Sequence, residues 1–182
     1  MNLPAKRYVF PLIALIPVFF FLTGCRSMNP IATESHVDLH RFMGDWHVMA
    51  NIPTFVERDA WNPLEHYELR EDGVILTTFT FNKGGPDGPL KTYRPKGFVR
   101  DTETNAVWGM QFIWPFKAEY IVMYVDEDYT RTVIGRRKRD YVWIMARDKH
   151  LPRDEIQALI DFAVAEGYDR EDILWTPHGG ME

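Results

Sequence analysis

The 182-residue chain has one cysteine, Cys25, and two serines, Ser27 and Ser35. Beyond residue 35 there is therefore no disulfide to brace the fold and no thiol or serine hydroxyl to serve as a nucleophile. Phosphate-cradling glycine loops are missing too, because Gly84-Gly85-Pro86 lacks the lysine and the helix that should follow it. The histidines at 36, 40, 47, 66, 150 and 178 are scattered. Only His36 and His40 have helical metal spacing, and they fall in a turn, so neither a metal nor another cofactor is expected. Basic residues are outnumbered: 21 Lys and Arg face 26 Asp and Glu, a net charge of −5. Phosphate neutralisation needs a basic face, so this balance argues against nucleic acid as a partner.

Long apolar runs are confined to the start. Lys6 and Arg7 precede an apolar stretch from Tyr8 to Leu22, interrupted by Pro11 and Pro17. That stretch falls short of the roughly 20 residues a membrane-spanning helix needs. It ends in Leu22-Thr23-Gly24-Cys25, which resembles the cleavage box of lipoprotein signal peptides. The motif implies removal of residues 1–24 and lipidation of Cys25, with residues 25–37 as a tether and 38–182 as one domain. Without residues 1–24 the basic count drops by Lys6 and Arg7 to 19, against 26 acidic residues, a net charge of −7. A single acyl chain binds a membrane only reversibly, so such an anchor needs several. Arg26 stands where an Asp would signal inner-membrane retention in enteric-type sorting, which favours the outer membrane, facing the periplasm.

From Trp46 to Trp143 the sequence alternates short β-prone segments with turn signals. Strands are expected near 46–52, 64–70, 74–81, 90–99, 105–112, 118–126, 130–135 and 141–147. Glu71-Asp72-Gly73 suits a tight hairpin, and residues 82–88 form a glycine-rich loop. Residues 53–63, bounded by Pro53 and Pro63, read as a longer loop carrying Phe55 and Trp61. Eight consecutive strands with short connections suit an up-and-down antiparallel barrel, whose closure removes exposed edges. After His150 the period becomes helical: Ile156, Leu159, Ile160 and Ala163 share a face, Pro152 suits the first helical position and Gly167 a stop. A short last strand is expected at 173–175. The fold class is thus all-β, with one C-terminal amphipathic helix.

Three ordered motifs then resemble the lipocalin family, in its bacterial outer-membrane lipoprotein branch. Gly44-Asp45-Trp46 matches the Gly-x-Trp that opens the first strand. Asp126-Glu127-Asp128-Tyr129 matches the acidic, aromatic turn between the sixth and seventh strands. Arg147, after Tyr141-Val142-Trp143-Ile144-Met145-Ala146, matches the arginine that ends the eighth strand. In an up-and-down barrel the start of strand one and the end of strand eight meet at one end. There Arg147 can stack on Trp46, a contact worth roughly 0.5–2 kcal/mol, and close the barrel structurally.

An eight-stranded barrel is wide enough inside for one small ligand. Alternation groups Tyr141, Trp143 and Met145 with Arg147, and Tyr120, Val122 and Tyr124 with one another. Phe79 and Phe81, with Trp108, Met110 and Phe112, are further inward candidates. On composition alone these aromatics fit a solid core better; the resemblance reverses this and implies a pocket. Burying about sixteen carbons is worth ~12 kcal/mol gross, much of it offset by lost freedom. A fatty acid or lysophospholipid fits this lining and an envelope location. The basic run Arg136-Arg137-Lys138-Arg139 joins strands seven and eight at the open end. It is either a solvated hairpin or a contact for a lipid headgroup or anionic membrane, with Arg136 and Arg137 the headgroup candidates. Glu65 and Glu68 read as surface charges. The expected function is a membrane-anchored lipid-binding protein and not an enzyme. The alternatives are a structural envelope protein with a filled barrel, and a lipocalin-fold enzyme using Tyr120 or Tyr124. Oligomeric state is left open.

Overall fold

The computed structural model describes residues 30–179. A short helix α1 (Leu39–Phe42) leads into strands β1 (Gly44–Asn51), β2 (Ala60–Leu69), β3 (Val74–Lys83), β4 (Leu90–Tyr93), β5 (Lys96–Val99), β6 (Val107–Ile113), β7 (Phe116–Val125), β8 (Arg131–Gly135) and β9 (Trp143–Ala146). Helix α2 (Arg153–Ala165) and strand β10 (Leu174–Trp175) follow. Neighbouring strands pair antiparallel in chain order, and β1 pairs with β9, which closes the barrel. The expected signal peptide and lipidation site, Cys25, lie outside the described residues.

Local chemistry accounts for the departures from the expected strand bounds. The single strand expected at 90–99 is two, because Pro95 has no N–H to donate to a ladder. Its carbonyl still accepts from the Thr77 amide at 3.1 Å, so β4 and β5 occupy one position in the barrel. The loop expected at 53–63 ends earlier, at Ala60. Pro63 is accommodated inside β2 at a register shift between Trp61 and Leu64, where Asn62 takes φ 52°. Pro152 caps α2 rather than starting it, and Gly167 at φ 97° ends it as expected. β10 pairs with Ala50 and Asn51 of β1.

The tether is shorter than expected. From Ile31 onward the chain is packed on the barrel: Ile31 and Val37 are buried, the Glu34 amide donates to the Val122 carbonyl at 3.0 Å, and the Val37 amide donates to the Thr104 carbonyl at 2.7 Å.

Two cores share the barrel wall. Outside it, Met49, Ile121, Met123, Val133 and Ile144 pack against Ile156, Leu159, Ile160 and Ala163 of α2. Inside, at one end, Phe42, Trp46, Val48, Tyr67, Ile75 and Trp108 form a dense plug with Val122, Ile134 and Met145. Both cores and the closed barrel lie within residues 30–179, so this segment carries its own core. Arg147 seals the plugged end. Its guanidinium lies 3.8 Å from the Trp46 ring centroid and donates to the carbonyls of Arg41, Phe42, Met43 and Asp45 at 2.7–3.0 Å. Gly44 takes φ 94°, and a Cβ there would lie 3.3 Å from an Arg147 nitrogen, so glycine answers both the backbone and the close approach. Asp126 and Tyr129 finish this end. Asp126 accepts from the amides of Thr130 and Arg131, and the Tyr129 hydroxyl accepts from the Asp38 amide.

Candidate functional site

With one end plugged, the other is open. The connections at 52–59, 84–89, 114–115 and 136–142 surround its mouth. Below them lies a cavity of about 180 Å³ lined by Phe79, Met110, Phe112, Tyr120, Tyr141 and Trp143, with Thr54, Val56, Thr77, Pro95 and Ala118 between them. The aromatic lining is ordered: Tyr120 stacks on Trp108 at 5.1 Å between centroids, and Trp143 lies 6.4 Å beyond at an interplanar angle of 25°.

Six of the ten side chains expected to contact ligand therefore line the cavity: Tyr120, Tyr141, Trp143, Met110, Phe112 and Phe79. Trp108, Val122 and Met145 point inward but belong to the plug beneath, where nothing reaches them. Tyr124 is a correction. The register of β7 against β8 shifts between Val122 and Tyr124, so alternation breaks and the ring turns outward. It packs on Phe162 of α2 at 5.7 Å, outside the barrel.

Carboxyl groups enter the cavity, where the sequence reading expected none. Glu65, expected on the surface, lines it together with Glu57 and Glu119, whereas Glu68 is exposed as expected. The signal was present: Glu65 shares the face of β2 with Tyr67, which is buried. Burial, first, and the nearby Glu57 carboxylate, second, push the Glu65 carboxyl up to about 8. Near neutral pH it is therefore predominantly a neutral acid. The Tyr67 hydroxyl donates to it, and Tyr67 and Tyr120 share a hydroxyl–hydroxyl hydrogen bond of 2.7 Å. Glu57 comes from the connection 52–59, folded over the mouth. It accepts from Trp143 Nε1 at 2.9 Å and from the Thr54 amide at 2.8 Å.

The basic turn divides its labour. Arg136 lines the cavity, its guanidinium 5.4 Å from the Tyr141 centroid and 3.3 Å from Asp140. Its buried Nε has no hydrogen-bond partner, and neither does the buried hydroxyl of Thr77 on the opposite wall. Arg137 is exposed and paired with Glu119. Arg139 Nε donates to the Glu166 carbonyl at 2.9 Å, tying the turn to the end of α2. Of the two headgroup candidates, then, only Arg136 faces the cavity.

Comparison with known proteins agrees with this geometry. A family model described as "Lipocalin-like domain" matches residues 37–178. The outer membrane lipoprotein Blc of Escherichia coli K12 is 27% identical over 175 residues, covering 93% of this chain and 97% of its own. Blc of Citrobacter freundii is 28% identical over 178 residues, covering 94% and 98%. Among solved structures, insecticyanin from the tobacco hornworm Manduca sexta superposes with a TM-score of 0.65 at 13% identity, over 83% of this chain and 86% of that one. With its signature residues assembled at the plugged end and a model match over most of its length, the chain belongs to the lipocalin family.

Proposed function

We propose that this protein binds a single-chain amphipathic lipid, a fatty acid or lysophospholipid, and carries it in the bacterial envelope. The observation that supports this most directly is the cavity itself: an aromatic, open-ended chamber with one cation, Arg136, in its wall and an unsatisfied guanidinium nitrogen there. At about 180 Å³ it is smaller than the roughly 300–1,000 Å³ usual for small-molecule sites. One acyl tail suits that space better than two, with the headgroup left at the mouth. A protonated Glu65 suits a tail, since a neutral acid among aromatic rings costs far less than a buried charge. The polar end then meets Arg136, and Trp143 and Tyr120 flank the tail. Residue Cys25, lipidated after removal of residues 1–24, holds the domain at the outer membrane on the periplasmic side. Support for this is the cleavage motif and the relatives named outer membrane lipoproteins.

Native mass spectrometry of residues 28–182, titrated with fatty acids and lysophospholipids below their micelle points, tests the reading. One lipid per chain, weakened by Trp143→Ala and Tyr120→Ala, is expected. Arg136→Gln is expected to weaken an anionic fatty acid more than a zwitterionic lysophospholipid. Absence of saturable binding with all of these lipids sinks the reading.

A further inference from the structure

Apart from Leu174 of β10, each large apolar side chain that is exposed among the described residues lies on a connection at the open end of the barrel. Phe55, Leu90, Phe112, Ile113, Trp114 and Phe116 are all more than half exposed. They come from three separate connections: 52–59, the start of β4, and the β6–β7 hairpin. Trp114 and Phe55 are exposed by 81% and 82%. Large apolar side chains exposed together at one end of a barrel mark a surface that meets a partner. Phe112 belongs to both rim and cavity lining, but Phe55, Ile113, Trp114 and Phe116 do not line the cavity.

Two further observations point to lipid as that partner. The first is charge. The open end carries the densest basic run of the chain, Arg136, Arg137, Lys138 and Arg139, together with Glu57, Arg58, Asp59, Asp87, Glu119 and Asp140. The plugged-end turns carry the acidic groups Glu71-Asp72, Asp101 and Glu103, and Asp126-Glu127-Asp128 beside Arg41, Arg70, Arg100, Arg131 and Arg147. An acidic protein thus places its densest basic run at the same end as its apolar rim, as docking on an anionic bilayer requires. The second is where the described chain begins. Residues 37 back to 31 run along the outside of the barrel from the plugged end towards the open one. Val37 is held by Thr104 of the plugged-end connection, and the Ala32 amide donates to Glu166, the residue whose carbonyl is held by Arg139 of the open-end turn. The described chain therefore begins on the side of the open-end turn 136–140. Cys25 is five residues before Pro30, a reach of at most about 18 Å.

We propose that the open end of the barrel docks on the membrane, with Phe55, Ile113, Trp114 and Phe116 entering the interfacial layer of an anionic bilayer and the basic turn 136–139 resting on its headgroups. The cavity mouth then faces the lipid directly, so a single-chain ligand exchanges between bilayer and barrel without crossing water. The docking surface depends on the lipid-binding reading only for its purpose, and on a lipidated Cys25 only for permanence.

Because Cys25 is the only cysteine, residues 28–182 accept single engineered cysteines cleanly. An environment-sensitive fluorophore is placed at Trp114→Cys and, separately, at Glu127→Cys on the plugged end. With vesicles of phosphatidylethanolamine and phosphatidylglycerol, the first is expected to brighten and shift to the blue and the second to stay unchanged. Cosedimentation with these vesicles is expected to weaken at least about tenfold in the double variant Ile113→Asp/Trp114→Asp, and to be weaker on phosphatidylcholine alone. Retained one-to-one lipid binding by this double variant shows that it is folded and that rim and pocket act separately. Equal responses at both label positions, or none, overturn the proposal. So does sedimentation equilibrium showing a dimer that the double variant abolishes without vesicle binding by the parent chain, since the rim then covers a second copy.

Discussion

Glu65 offers the sharpest quantitative test, because its environment makes folding depend on pH in an unusual direction. Its carboxyl titrates at about 8 in the folded barrel and near its ordinary value of 4.5 once unfolded. Below the lower value both states are protonated and the residue contributes nothing to the pH dependence. Between the two values the unfolded chain is ionised while the folded one holds its proton, so stability falls as pH rises. The slope there is about 1.4 kcal/mol per pH unit, and the full span amounts to an upper bound of about 5 kcal/mol. Above the higher value both states are ionised and the loss is complete. Replacing Glu65 by Gln keeps the shape and an acceptor for the Tyr67 hydroxyl but removes the titration. Urea unfolding of residues 28–182 from about pH 5 to about pH 8 should show the variant gaining steadily on the parent, by several kcal/mol at the alkaline end. Parallel pH profiles for the two proteins would refute the buried-acid geometry. Added lipid ligand should follow the same course, with parent affinity falling above about pH 8 and Glu65→Gln affinity staying flat.

Other consequences of the structure are as direct. Arg147→Ala leaves the carbonyls of Arg41, Phe42, Met43 and Asp45 without their donor and uncovers Trp46, and should cost roughly 3–5 kcal/mol in denaturant unfolding. Arg147→Lys should recover only part of this, since an ammonium cannot match a planar fork. Gly44→Ala should cost about 1–3 kcal/mol, because the new Cβ meets both a positive φ and the Arg147 guanidinium; no measurable change in thermal midpoint would contradict the close approach. Tyr124→Ala should lower stability through its lost contact with Phe162 yet leave lipid affinity within twofold or so, whereas Trp143→Ala should do the reverse in native mass spectrometry.

The architecture was legible because it rests on local, periodic signals. Alternation along short segments, turn residues such as Gly73, and the change to helical spacing after His150 are consequences of backbone geometry that each segment carries by itself. So are the Gly44-x-Trp46 and Arg147 signatures, since strand order alone brings both ends of the barrel wall together. The aromatic face of β9 and the inward set Tyr120 and Val122 followed from a period of two for the same reason. Tyr124 did not, because one extra residue in β7 reverses every side chain after it, and that register shift depends on how β8 pairs and not on β7's own sequence. Glu65 was misread on composition: a carboxylate belongs in water until a tertiary neighbour, here Tyr67 with Glu57 nearby, makes its protonated form acceptable inside. Likewise Trp108, Val122 and Met145 share the inward direction of the cavity residues. Only the depth of the α1 plug, with Phe42 filling the barrel from below, decides which inward side chains meet open space and which meet one another. The sequence by itself determined the barrel, its closed end and the chemical character of its lining. The tertiary structure alone decided where the interior stops being solid, which charges enter it, and that the exposed apolar rim, the basic turn and the start of the packed chain all lie at one end. Those features depend on contacts between segments far apart in the chain, which no local pattern encodes.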